Sequence, residues 1–256
     1  MNVVVCVKQI PDPAVPGELD SDHTLKREGK LILDESDSYG VEMALQLVDK
    51  AGGGEVTLIS MAPNNELSGL RTALAMGAAK AILVSDGALA GADSLTTAKV
   101  LAKCVERAGG IDLVLTATES TDGYTGTIPA QVAELLGWPS LTFAKQVEIE
   151  DGTATIHRQT EAGYDVVSAS LPAVVSVTAG VVEPRYPSFK GIMAAKSKPV
   201  DEVTVTDLGL TDEAIAANQT ITTVAAAPAR EAGEKIEDDG AAFEKIVEFL
   251  DGLKVI

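Results

Sequence analysis

Cysteine and histidine are scarce in this sequence. Its two cysteines, Cys6 and Cys104, lie far apart and form no C-x-x-C pair, and its two histidines are His23 and His157. A metal centre or a dithiol redox centre needs more of these ligands, or ligands at closer spacing. Catalysis by a Ser–His or Cys–His pair needs a histidine with an orienting partner, and neither histidine has an obvious one. We therefore expect no metal site and no catalytic residue, and any redox chemistry would need an organic cofactor.

Basic residues and long apolar runs are also lacking. The chain carries 38 acidic residues against 20 basic ones, a net charge of −18. Nucleic acid and anionic membranes would be repelled by such a surface as a whole. No apolar run reaches the length of a membrane span, and the N-terminus shows no basic region followed by a cleavable apolar segment. These features predict a cytoplasmic protein with no nucleic-acid partner and no direct membrane insertion.

Two common nucleotide-binding fingerprints are absent. Neither G-x-G-x-x-G nor G-x-x-x-x-G-K-[ST] follows any predicted strand, so an ordinary dinucleotide dehydrogenase or a P-loop protein is unsupported. What the chain does have is 256 residues with 46% hydrophobic content, which is enough to bury a full core. A different kind of nucleotide-binding α/β protein is therefore the one to consider.

Strand and helix patterns alternate through the first 136 residues. Buried strands are predicted at residues 2–7, 55–61, 81–84 and 111–115, with a short strand near 31–33. Helices are predicted from a cap at Ser36 or Asp37 to about Lys50, from a cap at Asn65 to Met76, from a cap at Asp93 to Arg107, and over residues 129–136. The alternation predicts an α/β fold with a doubly wound, mostly parallel sheet of the adenine-nucleotide-binding type.

The pattern changes after residue 140. Short Thr/Val-rich strands are predicted at 143–150, 153–160, 165–170 and 173–177, with a hairpin turn at Asp151-Gly152. They indicate an antiparallel extension of the sheet over residues 141–178. The predicted nucleotide-binding domain therefore covers residues 1–180.

A proline-broken segment follows at residues 181–200, which we call the docking arm. It lacks regular periodicity and reverses the sign of the charge locally, because four basic residues stand against the single acid Glu183. Apolar side chains among those charges suggest an extended arm that packs on another chain, although a simple linker is the alternative. The rest, residues 201–256, has predicted strands at 203–205 and 220–225, an acidic connector at 230–240 and an amphipathic helix at 241–250.

One loop has the composition of an anion site. Residues 117–127, rich in Thr, Ser, Asp and Gly, lead from a strand end to a helix N-terminus, where backbone N–H groups and the helix dipole favour phosphate. Ligands of parallel sheets collect at the carboxyl ends of the strands, so residues 7–9 and 60–61 are expected around the same crevice. A polar turn without a ligand is the alternative.

Several ordered stretches resemble the β subunit of electron transfer flavoproteins. They are VVVCVKQIPD at 3–12, YGVEMALQL at 39–47, LRTALAMGA at 70–78, LGWPSLTFA at 136–144 and VEPRYPSFKGIMAAKSKP at 182–199. The resemblance implies an electron carrier subunit that is not itself an enzyme. It would pair with an α subunit that carries FAD, accept electrons from acyl-CoA-type dehydrogenases in fatty acid oxidation, and pass them to a quinone reductase.

The resemblance also implies two sites. A structural AMP would be bound by Cys6, Asp34, Asp37, Met61, Ala117, Thr118, Glu119, Ser120, Thr121, Asp122, Gly123, Thr125, Gly126 and Thr127. Partner docking would use Glu183, Arg185, Phe189, Ile192 and Met193, with Phe189 as the anchor, and residues 201–256 would pack on the α subunit. Two alternatives stay open: an electron-bifurcating flavoprotein with FAD in the β pocket, and a free-standing adenine-nucleotide-binding regulator.

Three of these residues have simpler structural interpretations. Asp122 could only cap the following helix or close an Asx turn. Arg185 could make a contact within its own chain, and Phe189 could fold back into the core.

Overall fold

A nine-stranded sheet organises most of the chain in the computed structural model, which describes residues 1–225, 228, 233, 235–238 and 240–256. The strands are β1 Asn2–Cys6, β2 Gln9–Ile10, β3 Ile32–Leu33, β4 Glu55–Met61, β5 Lys80–Val84, β6 Leu113–Ala117, β7 Ser140–Glu150, β8 Thr153–Thr160, β9 Gly163–Ser170, β10 Ala173–Val177 and β11 Val200–Val203. The helices are α1 Glu35–Lys50, α2 Ser68–Met76, α3 Ser94–Ala108, α4 Ile128–Leu136, α5 Phe189–Ala195, α6 Asp212–Ile215 and α7 Ala242–Gly252. Strands β2 and β3 form a separate antiparallel pair.

The strand order in the large sheet is β11-β5-β4-β1-β6-β10-β7-β8-β9, and its first seven strands are parallel. Helices cover both faces. Val3 and Val5 of β1 point into a core shared with α1 and α2, whereas Val4 and Cys6 point into a core shared with α3 and α4. A strand buried on both faces has to be apolar throughout, which is why β1 reads as a continuous apolar run. The predicted doubly wound α/β fold is therefore confirmed.

The order in which strands are added to the sheet reverses at β1. It moves outward from β1 through β4 to β5, and then returns past β1 to place β6 on the other side. The loops that follow β1 and β6 therefore part from each other at the carboxyl ends of these strands. We call the space between them the crevice, and it lies at the edge of the sheet that the sequence predicted.

Strands β7, β8 and β9 form an antiparallel ribbon at one edge of the sheet. Asp151 and Gly152 join β7 to β8 with positive φ at both residues, 47° and 74°, as a two-residue hairpin of this kind requires. The predicted antiparallel extension is confirmed for its first three strands, with starts that differ by up to three residues. The fourth, β10, instead lies between β6 and β7 and pairs in parallel with both.

Two predicted helix starts were wrong. Helix α1 is capped by Asp34, whose side chain accepts from the Ser36 N–H, and not by Ser36 or Asp37. Helix α2 begins at Ser68 instead of following Asn65, because Asn64 and Asn65 adopt positive φ values of 54° and 51° in a tight turn. The sequence pattern could not distinguish this turn from a helix start, because asparagine is favoured both as an N-cap and in the left-handed backbone conformation.

The C-terminal predictions had mixed outcomes. The docking arm contains helix α5, which the sequence reading missed since two prolines flank it closely. Residues 220–225 form no strand, and the strand expected at 203–205 lies at Val200–Val203 instead. The amphipathic helix expected at 241–250 is found at Ala242–Gly252. The connector at 230–240 includes positions outside the described residues.

The chain forms two compact units, Met1–Ile221 and Thr222–Ile256. The first holds the sheet and the crevice, and the second holds α7. Over the residues described, no helix is both long and apolar enough to cross a membrane.

Helix α2 approaches β3 closely at Gly69. A Cβ at this position would lie 2.7 Å from the Leu33 backbone nitrogen and 2.9 Å from the Ile32 carbonyl oxygen. Only glycine admits the helix at this distance. The contact matters for the crevice because β3 leads directly into Asp34.

We expect Gly69→Ala to destabilise the protein by roughly 1–3 kcal/mol, because the added Cβ would clash with backbone atoms. The energy cost of this clash should exceed the gain of about 1 kcal/mol from the higher helix propensity of alanine. Urea denaturation measures the change. Gly87→Ala is the matched control, since a Cβ there meets nothing within 4 Å, and it should change stability by less than about 0.5 kcal/mol. Equal stability of the two variants would contradict the close contact.

Candidate functional site

The Asp34 carboxylate connects two sides of the crevice. It is fully buried, and one of its oxygens accepts from the backbone N–H and hydroxyl of Ser36 at 3.1 and 2.7 Å. The other oxygen accepts from the backbone N–H and hydroxyl of Thr121 at 2.7 and 3.0 Å. One side chain therefore caps α1 and also holds the β6–α4 loop, residues 118–127, in place.

Asp37 lies one turn further along α1 and is 5% exposed. It accepts a hydrogen bond from the backbone N–H of Lys8, the second residue after β1. Burial raises the pKa of the Asp37 carboxyl well above its usual range, and this outweighs the opposing effect of that hydrogen bond. The folded protein therefore favours the protonated form of this carboxyl more than the unfolded chain does.

Asp122 brings a distant segment to the β6–α4 loop. Its carboxylate, 5% exposed, pairs with the guanidinium of Arg27 at 2.5 Å. Arg27 belongs to the β2–β3 loop, residues 11–31, which carries a small hairpin joined at Leu19 and Leu25. Burial alone would raise the pKa of Asp122, but Lys8 and Arg27 hold it below its usual range. Asp122 therefore does not serve as the cap of the next helix.

Helix α4 begins without a side-chain cap. Thr127 occupies the N-cap position and makes no capping hydrogen bond, and Pro129 stands in the first turn. The backbone N–H groups at this end are thus not capped by the side chain of Thr127, and the helix dipole adds partial positive charge. Tyr124 and Gly126, with φ values of 48° and 67°, shape the loop that leads to it.

The structure brings some of the predicted pocket residues together. Asp34 contacts Thr121, Asp37 contacts Lys8, and Asp122 contacts Arg27 and the Ser120 side chain. The remaining predicted residues lie at the same strand ends or in the loop: Cys6, Met61, Ala117, Thr118, Glu119, Gly123, Thr125, Gly126 and Thr127. Cys6 and Met61 close β1 and β4. Burial raises the pKa of the Cys6 thiol above its usual range, so its sulfur is an inert core group.

The sequence reading missed two residues of the crevice. Lys8 was included in the expected strand-end region but not among the ligands, and its position directly after β1 was the available signal. Arg27 gave no local signal, because only the folded β2–β3 loop brings it to Asp122. Both are cations in a strongly acidic protein.

These residues fit an adenine nucleotide. Two cations, Lys8 and Arg27, interact with Asp122 in the loop that leads to a helix N-terminus without a side-chain cap, and this combination suits a phosphate group. In addition, the side-chain oxygen of Gln131, in the first turn of α4, is buried and has no hydrogen-bond partner within the part of the chain described. A hydroxyl or amino group of a ligand is the kind of donor that such an oxygen needs.

An open depression of about 550 Å³ lies elsewhere, on the β7–β9 ribbon. His157 and Tyr164 stack there with their ring centroids 4.4 Å apart. Its lining comes from the ribbon alone and includes none of the groups that converge at the crevice. The candidate site is therefore the group of charged and buried residues at the strand ends, and not this depression.

The docking arm is attached to the domain at both of its ends. Near its start, Arg185 donates from Nε and Nη2 to the two carboxylate oxygens of Glu42 on α1, at 2.6 and 3.1 Å. Near its end, Arg71 of α2 donates to the carbonyl oxygens of Ala195 and Lys198 at 2.7 and 2.8 Å. The Lys198 ammonium donates in return to two carbonyl oxygens at the end of α2. Arg185 therefore makes a contact within its own chain, which was the simpler interpretation of this residue.

The outer side of the arm is apolar and exposed. Tyr186 is 92% exposed and Phe189 81%, and Ile192 and Met193 are each about half exposed. Phe189 does not fold back into the core. Glu183 is exposed at the beginning of the same arm. Exposed apolar side chains on a firmly attached element are typical of a protein-binding surface.

Comparison with known proteins gives the family. Residues 22–208 match the electron transfer flavoprotein domain. Over the full chain, the sequence is 42% identical to the electron transfer flavoprotein subunit beta of Mycobacterium bovis, covering 99% of that protein. The chain belongs to the electron transfer flavoprotein β-subunit family.

Other relatives in this family differ in their named assemblies. The electron transfer flavoprotein subunit beta of Megasphaera elsdenii is 32% identical over the full length of both chains. The caffeyl-CoA reductase-Etf complex subunit CarD of Acetobacterium woodii is 37% identical over 92% of each chain. An electron-transfer role and association with a flavoprotein partner subunit follow from membership of this family.

The raised pKa of Asp37 predicts a pH effect on stability in this β subunit. A carboxyl whose pKa is raised by folding takes up a proton on folding, so wild-type stability falls as pH rises above the unfolded value of about 3.9. Asparagine lacks this titration and keeps an oxygen for the Lys8 N–H. We expect the stability of Asp37→Asn relative to wild type to increase between pH 5 and pH 8, measured by urea denaturation.

Asp49→Asn is the control for this comparison. Asp49 is exposed on the same helix, and its substitution removes the same side-chain charge. The pH-dependent change in Asp37→Asn should exceed the change in this control, and a difference between Asp37→Asn and wild type that stays constant with pH would contradict the raised pKa of Asp37.

Proposed function

We propose that this chain is the β subunit of a heterodimeric electron transfer flavoprotein that binds a structural AMP in the crevice. The redox-active FAD would be carried mainly by the α subunit. The heterodimer would accept electrons from acyl-CoA-type dehydrogenases and pass them to a quinone reductase, as a cytoplasmic electron carrier in fatty acid oxidation. In this proposal the β subunit performs no bond chemistry and is not an enzyme.

One observation carries the AMP proposal. Lys8 and Arg27 interact with Asp122, which lies in the loop between β6 and the N-terminus of α4, and this N-terminus has no side-chain cap in a protein whose net charge is −18. A local excess of positive potential at a strand-end crevice favours an anionic ligand such as an adenylate. Asp34 supports the same proposal, because it holds the β6–α4 loop in a fixed position before any ligand binds.

The bound nucleotide would stabilise the fold. It would join α1, the β6–α4 loop and the β2–β3 loop, which meet only through the few polar side chains described above. A ligand that binds only the folded state raises stability in proportion to its concentration relative to its dissociation constant. This is a structural role that needs no reaction of the nucleotide.

The docking arm supports the proposal about partners. Its residues Glu183, Arg185, Phe189, Ile192 and Met193 would form a small surface with Phe189 as the anchor. Because the arm is attached at both ends, binding would order few side chains and would lose little conformational entropy. A small interface around one anchor suits transient docking and rapid release of electron-transfer partners.

We propose residues 1–180 as the nucleotide-binding domain, 181–200 as the docking arm and 201–256 as the segment that packs on the α subunit. Helix α7 supports the last assignment. Four of its apolar side chains are 47–63% exposed: Phe243, Ile246, Val247 and Phe249. An amphipathic helix of this kind is suited to an apolar groove on another protein.

A second candidate function is an electron-bifurcating flavoprotein with FAD in the crevice. The relative named as a subunit of a caffeyl-CoA reductase-Etf complex motivates it, because that assembly joins such a subunit to a reductase. A free-standing adenine-nucleotide-binding regulator is less favoured, since the relatives are named as subunits.

The two candidates differ in the nucleotides that the heterodimer releases. If the crevice binds AMP, the purified and then denatured complex should release one FAD and one AMP, which chromatography of the supernatant would measure. Two FAD molecules with no AMP would favour the bifurcating candidate. A colourless homodimer that releases ATP would support the regulator instead.

The anchor role of Phe189 predicts a kinetic defect. Phe189→Ala should slow electron uptake from an acyl-CoA-type dehydrogenase by about tenfold or more at low partner concentration, because a central aromatic anchor contributes about 2 kcal/mol or more. The flavin content should stay unchanged. Stopped-flow reduction of the FAD measures the rate.

Leu135→Ala is the control, as Leu135 is an exposed leucine on α4, outside the arm. It should leave the uptake rate unchanged. Loss of flavin in Phe189→Ala would instead point to a role of this residue in assembly of the heterodimer.

A further inference from the structure

Three charged side chains from separate segments interact at the crevice. Lys8 follows β1, Arg27 comes from the β2–β3 loop, and Asp122 lies in the β6–α4 loop. Arg27 and Asp122 form the ion pair at 2.5 Å, and Lys8 interacts electrostatically with both. The cluster therefore places two cations around one nearly buried carboxylate.

The neighbouring acids are already satisfied. Asp34 accepts its four hydrogen bonds from Ser36 and Thr121. Asp37 accepts from the backbone N–H of Lys8, and burial raises the pKa of its carboxyl well above the usual range. Asp122 is thus the acid that directly pairs with a cation of the cluster.

The Arg27–Asp122 pair is poorly aligned in comparison with the other partly buried arginine pair. Arg185 and Glu42 are joined by two side-chain hydrogen bonds and a third from the Arg185 backbone N–H. By contrast, Arg27 Nη1 and Asp122 Oδ2 are buried and neither atom has a hydrogen-bond partner within the described residues. These two atoms are therefore close without the two aligned hydrogen bonds of the Arg185–Glu42 pair, and the Ser120 side chain also hydrogen-bonds to Asp122.

The surroundings of the pair allow the carboxylate to leave. Asp122 is followed by Gly123, where an added Cβ would meet only the Ser120 hydroxyl at 3.4 Å, and by exposed residues of the loop. Arg27 extends from a hairpin whose tip is exposed. Both partners therefore lie on segments that can adjust without disturbing the core.

We propose that Lys8 and Arg27 are the cations that bind the phosphate group of the nucleotide, and that Asp122 is their internal counter-ion, which the phosphate displaces. The proposal rests on the proposed function, because it concerns the residues of the same adenylate site. A phosphate dianion carries enough charge for both cations and offers oxygens for aligned hydrogen bonds, which Asp122 does not provide. Binding would also hold the β2–β3 loop at the crevice through Arg27.

Equilibrium dialysis with AMP and with adenosine separates the phosphate contacts from the rest of the site. The protein is the full-length chain in complex with its α subunit, prepared free of nucleotide. Lys8→Gln and Arg27→Gln should each weaken AMP binding about tenfold or more, because each removes a charge-assisted hydrogen bond. Adenosine binding should change less than about twofold, since it has no phosphate.

Lys26→Gln is the matched control. Lys26 is next to Arg27 in the same hairpin, but it pairs with the exposed Glu18. Its substitution removes the same charge and should leave binding of AMP and adenosine unchanged. If Lys26→Gln weakens AMP binding as much as Arg27→Gln does, the effect is general charge and the proposal is wrong.

Asp122→Asn gives the test of the exchange itself. If Asp122 competes with phosphate, this variant should bind AMP roughly threefold to tenfold more tightly, with adenosine unchanged. A loss of AMP affinity would mean that Asp122 positions or contacts the nucleotide, and would overturn its role as a counter-ion. Thermal unfolding with and without AMP provides a second readout for all variants.

The outcomes distinguish this proposal from the proposed function. If wild type binds neither AMP nor adenosine, the adenylate site itself is wrong. If wild type binds AMP and adenosine equally, or if Lys8→Gln and Arg27→Gln bind AMP as wild type does, the proposed function stands and the phosphate assignment fails. Arg27→Gln keeps the test valid if Lys8→Gln does not fold, because Arg27 lies on the surface loop.

Discussion

The buried carboxylate of Asp34 is the contact on which the crevice depends. It accepts from Ser36 at the start of α1 and from Thr121 in the loop after β6, so one group joins two elements that lie far apart in sequence. A buried carboxylate is costly unless it is fully hydrogen-bonded, and here four donors surround it. The loop that faces the proposed nucleotide therefore has a fixed position, and the strand ends of β1 and β6 determine where that position is.

The protein has a strong excess of negative charge overall, but positive charge is concentrated at the crevice and in the docking arm. At the crevice, Lys8 and Arg27 oppose the net charge, and in the docking arm Arg185 and its neighbouring lysines do the same. The two arginine pairs differ in quality, and this difference fits different roles. The Arg185–Glu42 pair is aligned by two side-chain hydrogen bonds and attaches the arm to α1, whereas Arg27 Nη1 and Asp122 Oδ2 lack this alignment in a place where a ligand phosphate would compete.

Much of the fold could be predicted because it depends on local patterns. Apolar runs marked β1 and β4, and Asp93 was correctly predicted as the cap of α3. The resemblance to a known family located the arm and the β6–α4 loop. The errors occurred at short polar residues that can take more than one structural role. Asn65 was expected to cap α2 but lies in a turn with positive φ. Asp34 was expected in the pocket but not as the cap of α1.

The sequence by itself determined the α/β class, the antiparallel ribbon and the family, since hydrophobic periodicity and ordered motifs are properties of the linear chain. Only the tertiary structure decided that Arg27 meets Asp122, that Asp37 is buried and has a raised pKa, and that Arg71 and Lys198 join the end of the docking arm to α2. The contacts of Arg27, Arg71 and Lys198 join residues from 95 to 127 positions apart, and the raised pKa of Asp37 depends on burial. Burial and long-range pairing arise only when strands and helices pack, so no local pattern can contain them.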